Sequence, residues 1–424
     1  RKGAKIAAIK SGGSEAGSRA ASSHTGALAS PDVAVDALFR KAGIVRCNGR
    51  DELATVASIF MHPVPKGKNI AIITHAGGPA VMLTDSLSNG GLNIPHIEGE
   101  KAQALLEKLY GGSSVANPID FLATGTAEQL GHIIDACEND FENIDAMAVI
   151  FGSPGLFPVY DVYDLLDEKM KSCKKPIYPI LPSVINVKDE IEHFIKKGRI
   201  NFPDEVTFGN ALSKVINTPA PQPENIEMSV IDKARIRKVI DSAENGYLNP
   251  ADVFELLDAA GIDRAFEQVV YNVEDALAFA RKHGFPLVMK VVGPVHKSDV
   301  GGVVLNVKDE ETVIREFDRL MKIKDTYAVL MGEMLKGTEV FIGAKREDKF
   351  GHMVLAGLGG IFIEVLHDVN TSISPVSAQE AERMIKNLKS FKIIEGVRGQ
   401  EGVNQEVFAS QIRKISALVE IAPE

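Results

Sequence analysis

Three times between residues 68 and 198 a short, continuously apolar run passes into a turn of glycine, serine or proline and then into an amphipathic helix. The runs are KNIAIITHAGGPAVMLTDSLSNGG at 68–91, DAMAVIFGSPG at 145–155 before VYDVYDLLDEKMKSC, and KPIYPILPS at 175–183 before VKDEIEHFIKKG. A strand without polar alternation needs cover on both faces, and helices between successive strands supply it. The repeat therefore predicts an α/β fold with a doubly wound parallel sheet, whose pocket lies at the C-terminal ends of the strands.

Upstream, KIAAIK at 5–10 reads as a strand that runs into SGGSEAGSRAASSHTGALAS, a small-residue loop, and PDVAVDALFRKAG reads as a helix stopped by Gly43. Downstream, INTPAPQPENIEMS carries several prolines and no periodicity, the mark of a linker. Beyond it NPADVFELLDAAG and VEDALAFARKHG read as helices ending at Gly261 and Gly284. The strands AFEQVVY, LVMKVV, GVVLNV, AVLMGEM and TEVFIGA are separated by turns too short for helical crossovers throughout, which predicts a partly antiparallel α+β domain. A length of 424 residues suits roughly three domains.

Charge narrows the partners. Forty-seven basic against 57 acidic residues give a net charge of −10 without long single-sign blocks, so no nucleic-acid footprint is present. Any phosphate must be held locally, by glycine amides, helix N-termini and a few lysines. No apolar run approaches the roughly 18 residues of a membrane span, so no membrane partner is expected. Cys47, Cys137 and Cys173 form neither a disulfide framework nor a metal spacing and read as buried structural thiols in a reducing, cytoplasmic setting.

Four constellations could carry chemistry. In Ser23-His24-Thr25-Gly26-Ala27 a histidine is flanked by residues with little bulk, accessible as nucleophile or proton carrier, or else simply a loop histidine. Thr74-His75-Ala76-Gly77-Gly78-Pro79 ends a strand and opens a helix: its glycines either admit an anion to free amides or serve a turn that needs φ > 0. In KVVGPVHKSDVGGV, Lys290 ends a strand and Gly301-Gly302 close a hairpin, which either folds over nucleotide phosphates with its amides as donors or is an ordinary turn. Glu333, Glu339 and Glu364 lie in or after strands, where carboxylates bind ribose hydroxyls or magnesium, or are simply solvated. No G-x-x-x-x-G-K-[ST] loop is present, which excludes ordinary P-loop ATPases.

Taken in order, KSGGSEAGSRAASSHTGALA, THAGGP, NPID at Asn117–Asp120, KVVGPVHKSDVGGV, GLGGIFIEVLHDVNTSISP and GVRGQ resemble the NDP-forming acyl-CoA synthetases, relatives of succinyl-CoA synthetase. The resemblance implies an ADP-forming acid–CoA ligase that turns acyl-CoA, ADP and phosphate into acid, CoA and ATP through a phosphohistidine, with acetate or another short acid as substrate. By residue matching, His24 falls on the phosphorylated histidine and His296 on a second histidine that passes the phosphoryl group to the nucleotide. Gly26, Gly77 and Gly78 fall beside the phosphohistidine, and Asn117 and Asp120 on the substrate side. Lys290, Gly301, Gly302, Glu333 and Glu339 fall in the nucleotide site.

The implied organisation is the C-terminal part of a phosphohistidine-bearing domain at 1–47, a flavodoxin-like domain at 48–218, a linker at 219–228 and an ATP-grasp domain at 229–424. ATP or ADP, magnesium and CoA are the implied ligands, with the usual magnesium ligands beyond Glu424 and the CoA-binding domain before residue 1. The chain alone is therefore expected to be catalytically incomplete, and a homo-oligomer or an association with the CoA-binding portion is expected. A non-catalytic regulatory module of a protein acyltransferase and a GDP-using ligase are the alternatives. Retention of both histidines favours the enzyme over the module, and the order of the domains favours the ADP-forming branch over the GDP-using ligase.

Overall fold

The computed structural model describes residues 3–25 (the backbone alone at 21–25), 31–153, 158–223, 225–294, 297–360, 368–397, 399 and 401–424. The chain divides into two compact units, Arg1–Gln222 and Pro223–Glu424.

The first unit opens with β1 (Ile6–Ile9), α1 (Glu15–Thr25), α2 (Asp32–Ala42), β2 (Ile44–Cys47) and α3 (Arg50–Phe60). It continues with β3 (Ile70–Thr74), α4 (Gly77–Asn89), α5 (Glu100–Leu106), β4 (Ile119–Asp120), α6 (Ala127–Asn139) and β5 (Ala146–Ile150). α7 (Tyr160–Ser172), β6 (Ile177–Ile180), α8 (Lys188–Lys196) and α9 (Glu205–Asn217) complete it. Strands β3 to β6 form a parallel sheet in the order β4-β3-β5-β6.

The apolar runs are continuous because the two faces of each strand feed different cores. Ala71, Ile73, Met147 and Val149 enter one core with α6, α7 and α8, whereas Ile70, Ile72, Ala146, Ala148 and Ile150 enter another with α3, α4 and α9. Each buried isoleucine contributes roughly 1.5–3 kcal/mol, and a one-residue slip would exchange the two sets, so the register is firmly specified. This strand order is the flavodoxin-like one, with its topological switch point between β3 and β5. β1 and β2 form a separate parallel pair, Ile6 beside Ile44 to Ile9 beside Cys47.

Two local expectations change. The stretch expected as a small-residue loop contains helix α1, and His24 falls in its last turn. Alanine is the strongest helix former and serine only a mild opponent, and the Ser14 hydroxyl accepts the Gly17 N–H at 3.0 Å at the helix start. Of the three free thiols Cys47 and Cys137 are buried, but Cys173 is only half-buried, just past the end of α7. Burial pushes the Cys137 thiol up to about 12, so it stays protonated.

Two buried imidazoles give this unit a pH dependence. His62 packs on Tyr178 and Phe202 with its Nδ1 3.1 Å from the Ser58 carbonyl, and His75 stacks on Phe151. Burial holds both below the ordinary histidine value, because it disfavours the charged form. As pH falls the unfolded chain takes up these protons first, so their contribution is complete above about 6.5 and lost as pH drops below it. Calorimetry from pH 7.5 to 5.5 should show the melting temperature of the first unit falling, and a flat profile would contradict this assignment.

The second unit runs α10 (Lys233–Ser242), α11 (Pro250–Ala259), β7 (Glu267–Val270), α12 (Val273–His283), β8 (Leu287–Val292), β9 (Val303–Val307) and α13 (Glu310–Met321). Then follow β10 (Ala328–Glu333), β11 (Val340–Glu347), β12 (Gly351–Leu358), β13 (Val369–Ile373), α14 (Ala378–Lys386), α15 (Phe391–Glu395) and α16 (Gln405–Ile421). Its described strand pairs are antiparallel, in a four-stranded sheet β7-β10-β8-β9 and a three-stranded sheet β11-β12-β13. Helices α12 and α13 cover one face of the four-stranded sheet, and α14 and α16 pack on the other sheet. Among the described residues no helix is long and apolar enough to cross a membrane.

Candidate functional site

At the switch point of the parallel sheet, β3 ends in Thr74 and the chain passes through His75 and Ala76 into α4. His75 is 9% exposed; its ring stacks 4.4 Å from that of Phe151, and its Nδ1 lies 3.4 Å from the Ile150 carbonyl, across to β5. Ala76 is the N-cap, extended at φ −141 and ψ 113, and no side chain caps the helix. Gly77 and Gly78 are exposed and are not among the positive-φ glycines. A tight turn that needs φ > 0 is thereby ruled out as their reason. A Cβ at Gly78 would meet nothing within 4 Å, and one at Gly77 only Asp120 Oδ2 at 3.7 Å. What remains is an uncapped helix start, with free amides and the positive end of the dipole, opening onto empty space.

The neighbouring strand supplies Asp120, whose Oδ1 accepts the Leu122 N–H at 2.9 Å. Asn117 is spent on the fold. Its Oδ1 accepts the Ile72 N–H at 2.9 Å, and its Nδ2 donates to the carbonyls of Ile70 and Pro95, each at 3.0 Å. The side chain thus prolongs the two-residue β4 alongside β3 in the manner of a peptide group. Ser183 after β6 also reaches this edge, where its Oγ accepts the Ser153 N–H at 2.9 Å. Neither serine stood out in the sequence, since isolated serines after strands carry no pattern.

In the second unit Lys290 sits on β8 opposite Leu330 and Val303. Alternation turns it to the sheet face away from α12 and α13, where Val269, Leu330 and Phe254 form a small apolar cluster. The carboxylate beside it is Glu267 on β7, 4.0 Å away, a residue the sequence reading passed over. Glu333, opposite Leu287 and three residues beyond Leu330 on β10, falls on the other face of the sheet from Lys290. Its Oε1 accepts the Phe266 N–H at 3.1 Å, and its own N–H donates to the Phe266 carbonyl at 3.2 Å, which ties β10 to the start of β7. Glu339 is exposed just before β11, with its carboxylate against Gly360.

The glycine hairpin uses its own amides. Gly301, at φ +66, donates to the Ser298 carbonyl at 3.1 Å, and Gly302 donates to the Lys297 carbonyl at 2.7 Å. These N–H groups are therefore not free to cradle phosphates in this conformation. A Cβ at Gly302 would collide with the Val291 side chain, so this glycine serves the close packing of the turn. Gly26, His296 and Glu364 lie outside the described residues, as does the side chain of His24. Among the described residues no group of three or more His, Cys, Asp or Glu side chains could hold a metal ion.

Family models match two parts of the chain: the ATP-grasp domain at residues 239–424 and the succinyl-CoA ligase like flavodoxin domain at residues 1–60. An ADP-forming acetate–CoA ligase I of Archaeoglobus fulgidus is 32% identical over 437 residues, 99% of this chain and 62% of that protein. An ADP-forming 4-hydroxybutyrate–CoA ligase of Nitrosopumilus maritimus is 28% identical over 98% of this chain and 62% of its own length. The beta subunit of the ADP-forming acetate–CoA ligase I of Pyrococcus furiosus is 37% identical over 203 residues, 45% of this chain and 88% of the subunit. The chain thus spans about three-fifths of the length of the first two relatives, each matched over 62%.

Proposed function

The chain belongs to the family of ADP-forming acetate–CoA ligases, and from that premise we propose that it carries the phosphoryl-transfer and nucleotide-binding parts of such an enzyme. The reaction is acyl-CoA, ADP and phosphate to acid, CoA and ATP, in either direction, with a short carboxylic acid such as acetate as substrate. The observation that carries this reading is the start of α4, where Gly77 and Gly78 leave uncapped amides facing open space at the switch point of the sheet. Such a helix end suits a doubly charged phosphoryl group more than any neutral ligand.

In this reading His24 is the first acceptor. Its N–P bond forms as the carbonyl-O–P bond of an acyl phosphate breaks and the carboxylate leaves. That bond breaks in turn as a ring nitrogen of His296 takes the phosphoryl group, and the new N–P bond on His296 breaks as a terminal oxygen of ADP attacks, which returns both imidazoles to their starting state. Lys290 offsets nucleotide charge in the ATP-grasp domain, residues 229–424, and Glu333 and Glu339 lie toward the nucleoside. Gly26 belongs to the phosphohistidine segment, Asp120 to the substrate side, and Gly301 and Gly302 to the turn that follows His296 in the chain. Association with a CoA-binding portion completes the site, and the free thiols suit the cytoplasm.

Incubating the full-length protein with γ-labelled ATP and magnesium tests the reading. A base-stable, acid-labile label should map to the peptide containing His24. Intact nucleotide binding without any such label would leave a binding module and overturn the enzyme.

A further inference from the structure

The segment that carries His24 leaves the β1-β2 pair at Lys10 and returns to it at Asp32, and these two residues meet. Lys10 Nζ lies 3.1 Å from Asp32 Oδ1 and also donates to the Gly12 carbonyl at 2.9 Å. Arg46, at the same end of β2, donates through Nη2 to Asp32 Oδ1 at 2.6 Å and through Nη1 to Asp36 at 3.3 Å, and Asp36 pairs in turn with Arg40. The loop leaving β1 is drawn in as well, since a Cβ at Gly13 would stand 3.3 Å from the Asp32 carboxylate.

The Lys10 and Asp32 side chains are only 14% and 30% exposed. Hydrogen bonding from Arg46, then from Lys10, holds the Asp32 carboxyl below the usual range against the opposing effect of its burial. As the first residue of α2 it also faces the positive end of that helix. An isolated surface pair would have little effect. Here one carboxylate gathers two cations, the three residues coming from separate stretches of chain, so its effect is geometric: it closes the base of a long segment and removes freedom the segment would otherwise have.

We propose that Asp32, gripped by Lys10 and Arg46, clamps both ends of the His24-bearing segment and sets where His24 stands for phosphoryl transfer. Asp32 is then a positioning residue, and the proposal rests on the reading of His24 as the phosphoryl acceptor. Lys10 forms one limb of the clamp and Arg46 the other, so the two limbs can be cut separately.

The test uses the full-length protein with Asp32→Asn, Lys10→Met and Lys10→Arg. Labelling of His24 should slow by about 10- to 100-fold in the first two, the scale of a misplaced reacting group, while the nucleotide KM and the melting temperature hold. Lys10→Arg should restore the wild-type rate. Hydrogen exchange at the amides of residues 14–25 should quicken in Asp32→Asn and Lys10→Met and not in Lys10→Arg. Unchanged labelling and exchange in Asp32→Asn would overturn the clamp, as would a loss accompanied by a lower melting temperature and weaker nucleotide binding. A wild-type protein that takes no label at His24 would instead remove the phosphohistidine reading, and the exchange measurement would still decide whether Asp32 fastens α1.

Discussion

In the full-length protein His24→Ala is expected to lower ligase turnover by at least about 10³-fold, the scale set by loss of a covalent acceptor rather than of a binding contact. Folding should be unaffected. Residues 15–20, whose side chains in α1 are described, are all at least partly exposed, so this part of the helix contributes little to either core. Alanine also preserves helix propensity at position 24. The measurements are steady-state turnover and a thermal melt on the same preparation. Turnover within a few-fold of wild type would show that His24 does not carry the phosphoryl group.

The second large effect is expected at Lys290. Its side chain, 39% exposed, lies on the face of an antiparallel sheet away from α12 and α13, in a chain of net charge −10 that offers no general attraction for phosphate. Lys290→Met keeps the apolar stem and its packing along the sheet, and removes the ammonium group. ATP binding should weaken by about 1.5–3 kcal/mol, the range for a hydrogen bond to a charged group, which is roughly 10- to 150-fold in Kd. The Glu267 carboxylate, left without its partner, would then face the phosphates and add repulsion. Titration calorimetry with ATP reads the change directly, and equal affinity in the variant would place the phosphates elsewhere.

Most strands were legible because their signals are local, whereas β2, β12 and β13 were not read from the sequence. Continuous runs such as IAIIT announce a strand covered on both faces, and the terminating glycines Gly43, Gly261 and Gly284 take positive φ where the helices stop. β4 was not legible: two residues are too short for any period, and its pairing is completed by an asparagine side chain whose partners lie 45 and 47 positions away. The same motif, NPID, therefore read as substrate-side although Asn117 is occupied by the backbone of β3. α1 was hidden because small residues give no amphipathic stripe, so a helix of alanine and serine looks like a loop. The Lys10, Asp32 and Arg46 cluster joins single charges from separate stretches, and nothing in one sequence marks them as partners. At the open start of α4 the motif was visible, but whether its glycines served a turn or a ligand depended on φ and on empty space.

The peptide-like duty of Asn117 also bears on how the molecule ages. An asparagine amide is commonly lost when the backbone nitrogen of the next residue attacks the carboxamide and ammonia departs. The next residue here is Pro118, which has no N–H to deliver. The side chain that holds β4 against β3 is thus shielded from slow conversion to aspartate, which would remove both of its donor bonds and set a second negative charge near Asp120. The Asn–Gly pairs at 48–49, 89–90 and 245–246 have no such shield, and chemical wear in stored protein should be found there first.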